Sequence, residues 1–363
     1  MSIKKNIINC FFLAIIVSLN AGCLSTSVSS LELHIKDNPG SGVILDVPFV
    51  KQKKEFCGPA ALSSVFAFWQ RPVTQDRIAK DIFRPELCGV LNIDLERYAR
   101  DSGFWAKGDD SDFEDLKSCV LEGIPVIVMQ KLHPFILNRN HYTVVTGFSD
   151  KHQAIIEHTG SSGSVIRSYR GFKSNWYAAG GWMLKVMPFD KVGDINNSED
   201  NIELGTVLEL HGLFKEALKR YNTALKIDQQ SYIAMFNIGN VYMQMQDWQK
   251  AEAAYKQAIA LNPSFPDAYN NLACVYLSTK EYEKAHKYVD RALGLYSNKK
   301  FYYLDTKARI FFAQNKMDKA VIIIKEAISS SDAVLPQTLK IFYQFWVEKY
   351  PQIDALLGDY SSK

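Results

Sequence analysis

The chain has 363 residues, 47% of them hydrophobic and 22% charged, enough apolar material for two ordinary domains and too much for a disordered polymer. Its 42 Lys and Arg against 39 Asp and Glu leave a formal net charge of only +3. No basic cluster with interleaved aromatics occurs, so nothing points to nucleic acid as a partner.

Residues 1–23 read as a targeting segment: Lys4 and Lys5 form a basic start, Ile7 to Leu19 an apolar stretch too short and too early for a membrane span, and Asn20-Ala21-Gly22-Cys23 a small-residue cleavage site. The pattern is similar to a bacterial lipoprotein signal. That resemblance implies an exported protein whose Cys23 is diacylated and becomes the mature N-terminus, a lipid anchor in the membrane. Leu24 after that cysteine points to the outer membrane, facing the periplasm. Cleavage by an ordinary signal peptidase is the alternative. Residues 24–42, rich in Ser and ending Asn38-Pro39-Gly40-Ser41-Gly42, have the composition of a flexible tether.

A catalytic domain is expected over residues 43–190. Ala61, Leu62, Val65, Phe66 and Trp69 recur at helical spacing after Cys57-Gly58-Pro59, and a proline is tolerated in a helix's first turn. Cys57 therefore sits at the positive end of a helix dipole, where its thiolate is favoured. Gln52, just upstream, supplies a neutral amide donor. Further helices are expected over Val73 to Phe83, Asp94 to Ser102 and Phe113 to Leu121. Strands are expected over Ile124 to Met129, from His141 onward, and over Ala154 to His158, Ser164 to Tyr169 and Trp182 to Val186. Helices first and an antiparallel sheet afterwards make an α+β domain. His141 leads directly into its strand, whereas His133 precedes Pro134 in a loop, so His141 is the preferred base. Trp176, Tyr177 and Trp182 are candidates for a cleft lining or for the core.

Asp46-Val47-Pro48-Phe49, Gln52, Cys57-Gly58-Pro59-Ala60-Ala61-Leu62 and His141-Tyr142-Thr143-Val144-Val145-Thr146-Gly147 together resemble the papain-like cysteine peptidases that process bacteriocin leaders at double-glycine sites. The resemblance implies Cys57 as nucleophile, His141 as general base, Gln52 as oxyanion donor and cleavage after small residues, with no metal or organic cofactor. The family's usual aspartate-proline pair is replaced by Glu157-His158. Glu157 falls at the offset suited to orienting the imidazole, with His158 as the other candidate. Transporter-fused relatives carry a membrane domain and an ATPase; this chain has no long apolar span beyond its start and no GxxxxGK[ST] loop, so it reads as a free-standing relative. Of the remaining cysteines, Cys88 and Cys119 either form a bridge or stay free, the helical stretch around Cys119 favouring a buried thiol. No Cys/His spacing suggests a metal.

Residues 191–200 are polar and mark the interdomain linker. Beyond it, over 201–350, Ala217, Tyr221 and Ala224 recur as Ala251, Tyr255 and Ala258, as Ala285, Val289 and Ala292, and one residue late as Ala320, Ile324 and Ala327, a period of about 34 residues. This resembles the tetratricopeptide repeat, an all-α solenoid with a concave surface that implies docking of a peptide or protein partner. Asn237, Asn240, Asn270 and Asn271 are its polar candidates there, and Leu335 to Tyr350 is expected to cap the solenoid.

The expected function is a membrane-anchored papain-like cysteine peptidase, a hydrolase acting on exported peptides or proteins. The alternatives are a peptide-binding scaffold that does not cut, and an acyltransferase of the same fold.

Overall fold

The computed structural model describes residues 39–132, 139–160, 162–295 and 297–329, with positions 30, 31, 33, 35, 346 and 348. The targeting segment with Cys23, the rival base His133 and most of the expected capping helix lie outside the described residues. Trp346, within that last stretch, is helical and fully buried, its indole N–H donating to Asp305 at 3.0 Å. The chain divides into two compact units between Val192 and Gly193.

The first unit is built on a helix, α1 (Cys57–Phe68), whose Leu62, Val65 and Phe66 are completely buried. Full burial of such side chains stabilises by about 1.5–3 kcal/mol each. The helix stops at Phe68, and the next residue, Trp69, anchors the turn by donating its indole N–H to the Val186 carbonyl at 2.8 Å. Two shorter helices follow, α2 (Gln75–Ile82) and α3 (Asn92–Asp101). Then come β2 (Phe104–Asp110), α4 (Phe113–Leu121), β3 (Val126–Leu132), β4 (Arg139–Ser149), β5 (Ala154–Thr159), β6 (Gly163–Ser168), α5 (Tyr169–Tyr177) and β7 (Trp182–Pro188). With β1 (Gly42–Ile44) they form one antiparallel sheet in the order β2-β7-β3-β4-β5-β6, β1 lying against β4. Ile127, Tyr142, Val144 and Leu184 on one face of the sheet pack with Leu62, Val65 and Phe66 of α1, and this is the core.

Several expectations are corrected here. The tether expected through residue 42 ends earlier: Leu31 and Ile35 are helical and buried against Ala154 and Ile156, an i,i+4 apolar pair hidden in a Ser-rich context, and Gly42 already pairs with Ser149. β2 went unrecognised because Lys107 to Asp110 is polar; its partner β7 supplies the pairing. Ser168 ends β6 and caps α5, its hydroxyl accepting from the Gly171 N–H, so Tyr169 is helical and not the end of a strand. Trp176 and Trp182 are core: the Trp176 indole N–H donates to the Trp182 carbonyl at 2.8 Å, and Trp182 packs edge-on against Tyr142. Cys88 is exposed and Cys119 buried, and neither is bridged.

The second unit consists of helix pairs: α6 (Ser198–Leu210) with α7 (Phe214–Ile227), α8 (Tyr232–Gln244) with α9 (Trp248–Leu261), α10 (Pro266–Ser278) with α11 (Tyr282–Leu293), and α12 (Lys300–Ala313) with α13 (Met317–Ser329). Helix α6 starts inside the stretch expected to be linker, because the Asn197 side chain accepts from the Asp200 N–H and caps it. The recurrent small and large residues, among them Ala217, Tyr221, Ala251, Tyr255, Ala285, Val289, Ala320 and Ile324, are fully buried. Their logic is visible at Gly239, where an added Cβ would lie 2.6 Å from the Tyr255 ring. The candidate asparagines are partly occupied among themselves: Asn271 donates to Asn240 at 2.9 Å, and the Tyr255 hydroxyl donates to the same Asn240 oxygen at 2.8 Å.

Candidate active site

Cys57 is the first residue of α1, so its backbone N–H points out of the helix end, where the dipole favours an anion. Its side chain is half-buried and carries no disulfide. The start of the helix can be approached closely because the next residue is glycine: a Cβ at Gly58 would lie 2.4 Å from the Val90 side chain and 3.3 Å from the Tyr142 ring. Cys57, Gln52, Val90, Asn92, His141 and Tyr142 are among the residues lining an open cleft of about 990 Å³. A narrow hole beside it is lined by Gln52, Cys57, Ser64, His158 and Thr159.

His141 lies near the start of β4, opposite Gln130 of β3. Side chains alternate along a strand, so Tyr142 and Val144, packed with α1, occupy one face, and His141, Thr143 and Val145 the other. His141 borders the cleft from there, 8% exposed, with its Nε2 3.1 Å from the Thr159 hydroxyl. Burial, then the nearby Arg167 charge, lower its pKa to about 4, so the ring is neutral at ordinary pH. Tyr142 donates its hydroxyl to Asn92 at 2.5 Å, and burial, with the charge of Cys57 beside it, pushes its phenol upward.

Glu157 is fully buried, but its partners are not the imidazole. The carboxylate accepts from Gln130, from Thr143 at 2.9 Å and from Arg167, tying β3, β4 and β6 together through β5. The group bonded to the His141 ring is Thr159, two residues later. His158 pairs across to Val144 on the α1 side of the sheet, contacts Phe49 edge to face at 5.4 Å, and has a buried Nδ1 with no protein partner. Gln52 is held with its backbone N–H donating to the Gly160 carbonyl at 3.2 Å. Cys57, Gln52 and His141 thus share one cleft, whereas Glu157 does not line it and is bonded to Gln130, Thr143 and Arg167. Thr159, the last residue of β5, had no sequence signal beyond its position. Among the described residues no group of three or more His, Cys, Asp or Glu is placed to hold a metal, and no helix is long and apolar enough to cross a membrane.

Comparison with known proteins divides the chain in the same way. Residues 44–183 match the Peptidase_C39 like family; residues 211–246 and 239–280 match a TPR repeat model, and 266–299 a tetratricopeptide repeat model. Among curated proteins, Photosystem I assembly protein Ycf3 of Rippkaea orientalis is 38% identical over 73 residues, 19% of this chain and 42% of that protein. Ycf3 of Cyanophora paradoxa is 30% identical over 124 residues, 33% of this chain and 70% of that one. These relatives match the repeats alone. Among solved structures, MamA is 26% identical over 38% of this chain and 80% of its own, with a TM-score of 0.35. A double glycine motif protease from an AMS/PCAT transporter, in complex with the leader peptide, is 22% identical over 41% of this chain and 98% of its own, with a TM-score of 0.33. The chain carries a Peptidase_C39-like domain followed by tetratricopeptide repeats, and through the latter it belongs to the tetratricopeptide-repeat proteins.

Proposed function

We propose that this chain is an exported cysteine peptidase that cleaves peptides or proteins after small residues, held at the outer membrane facing the periplasm by lipid on Cys23, its repeats docking a peptide or protein. The observation that carries the catalytic part is that Cys57, at the positive end of a helix, and His141, at the start of a strand, border one cleft with Gln52.

The chemistry follows from the partners. Thr159 engages His141 Nε2, which leaves Nδ1 to accept the thiol proton, and a ring neutral at ordinary pH is in the form a base requires. The Cys57 sulfur bonds to the scissile carbonyl carbon as its proton passes to His141, and the carbonyl π pair moves onto oxygen. The Gln52 amide and the Cys57 N–H receive that oxyanion. On collapse the C–N bond breaks, the imidazolium protonates the leaving amine, and a thioester remains. Water, deprotonated by His141, then attacks the thioester, releasing the acid and the thiol. The scheme uses no metal or organic cofactor.

Hydrolysis of a peptidyl-Gly-Gly-aminomethylcoumarin probe by the full chain, with Cys57→Ala as control, tests this. Turnover lost in the variant supports the peptidase. Turnover that persists refutes it, and transfer of the acyl group to an added amine in preference to water identifies an acyltransferase. A Cys57 that iodoacetamide alkylates no faster than free cysteine, with no turnover, leaves the binding scaffold.

A further inference from the structure

We propose that Gln75 is a positioning residue for the oxyanion donor Gln52, acting through the backbone on both sides of it; this rests on the peptidase reading above. Gln75 is the first residue of α2 and only 9% exposed. Its carboxamide oxygen accepts from the Lys53 N–H at 2.9 Å, and its carboxamide nitrogen donates to the Lys51 carbonyl at 2.9 Å. One side chain therefore satisfies the backbone immediately before and immediately after Gln52, as a neighbouring strand would.

The remaining contacts of this loop make the clamp decisive. The Val50 N–H donates to the Ser64 hydroxyl of α1 at 3.2 Å, the Gln52 N–H to the Gly160 carbonyl at 3.2 Å and the Phe56 N–H to the Lys53 carbonyl at 3.1 Å, so each fixes one point of the loop by a single bond. Between Gln52 and the nucleophile the chain turns with Glu55 at φ +67°, a left-handed conformation costly for a non-glycine residue, which leaves little slack in the connection. The placement of the Gln52 amide relative to the Cys57 sulfur is then set by where residues 51–53 are held. The exposed ion pair of Lys53 with Asp76, 59% and 57% exposed, adds little to this. A carboxamide carries its donor and its acceptor on separate atoms of one uncharged group, and glutamine has the reach shown here.

A residue that positions an oxyanion donor affects attack on a carbonyl but not displacement at an sp³ carbon, where no oxyanion forms. The test therefore compares two reactions of the full chain: turnover of the peptidyl-Gly-Gly-aminomethylcoumarin probe, and iodoacetamide alkylation of Cys57 followed by peptide mapping. Gln75→Ala is expected to lower kcat about 10- to 100-fold, with KM and the Cys57 alkylation rate changed by less than about threefold. The isosteric Gln75→Glu, which loses the donor to Lys51, should show the same split if the alanine variant folds poorly. In a Gln52→Ala background, Gln75→Ala should lower kcat no further. Unchanged kcat in both Gln75 variants, equal losses in turnover and alkylation, or losses that multiply in the double variant would overturn the role. Turnover that survives Cys57→Ala removes the peptidase reading itself, and with it this role for Gln75.

Discussion

Removing the Glu157 carboxylate separates a structural role from the catalytic one its place in the chain suggested. The carboxylate is fully buried and accepts from Gln130, Thr143 and Arg167. Hydrogen bonds to a charged group contribute about 1.5–3 kcal/mol each, but Arg167 is 35% exposed and its share is screened towards about 1 kcal/mol. Glu157→Ala should therefore cost about 4–7 kcal/mol, a large part of the 5–15 kcal/mol available to a typical domain, and lower the first unit's melting temperature by roughly 10–25 °C. Because the His141 ring is bonded to Thr159 instead, kcat per active site, titrated with an irreversible thiol reagent, should change by less than about fivefold. Thr159→Val should do the reverse: a kcat loss of about tenfold from a misoriented imidazole, with the melting temperature nearly unchanged. Circular dichroism melts and titrated turnover for the two variants provide the comparison. A Glu157→Gln variant that stays stable but loses a hundredfold in kcat would refute this division of roles.

His141 has its folded-state pKa held below the unfolded value of about 6.5, so its contribution to stability is present above that pH and is lost as pH falls towards about 4, by up to about 3 kcal/mol. The burial of His158 acts in the same direction. The melting temperature should fall between pH 7 and 5, less steeply in His141→Gln, and the acid limb of kcat/KM should lie near 4 and not near 6.5. In the repeats, Gly239→Ala places a Cβ 2.6 Å from the Tyr255 ring and should destabilise the second unit by about 1–3 kcal/mol, read by thermal melting, while leaving probe turnover unchanged.

How much of this was legible in the sequence depended on whether the signal was periodic. The apolar spacing after Cys57 and the recurring Ala and Tyr of the repeats placed α1 and the helix pairs, because burial of one face imposes that spacing. β2 was missed because half of it carries polar residues and its hydrogen bonds come from β7, distant in sequence. Leu31 and Ile35 were lost in a Ser-rich stretch for the same reason: their partners Ala154 and Ile156 are on β5. At the candidate site, the nearness of Gln52 to Cys57 in the cleft was legible because the two are close in the chain. Thr159 and Gln75 were not, since any of several polar residues has that hydrogen-bonding capacity and only the register of β4 on β5, and the packing of α2 on the loop, selects them.

The proposed peptidase mechanism depends on the side chain at 141 serving the sulfur at 57. The most direct measurement is single-turnover hydrolysis of the peptidyl-Gly-Gly-aminomethylcoumarin probe by full-length protein, wild type against His141→Ala, with folding of the variant verified by circular dichroism. Loss of about 100-fold or more in the acylation rate, with the probe still bound, is the predicted result, since positioned general-base catalysis contributes about 10²–10⁴. A folded His141→Ala protein that acylates at the wild-type rate would contradict it.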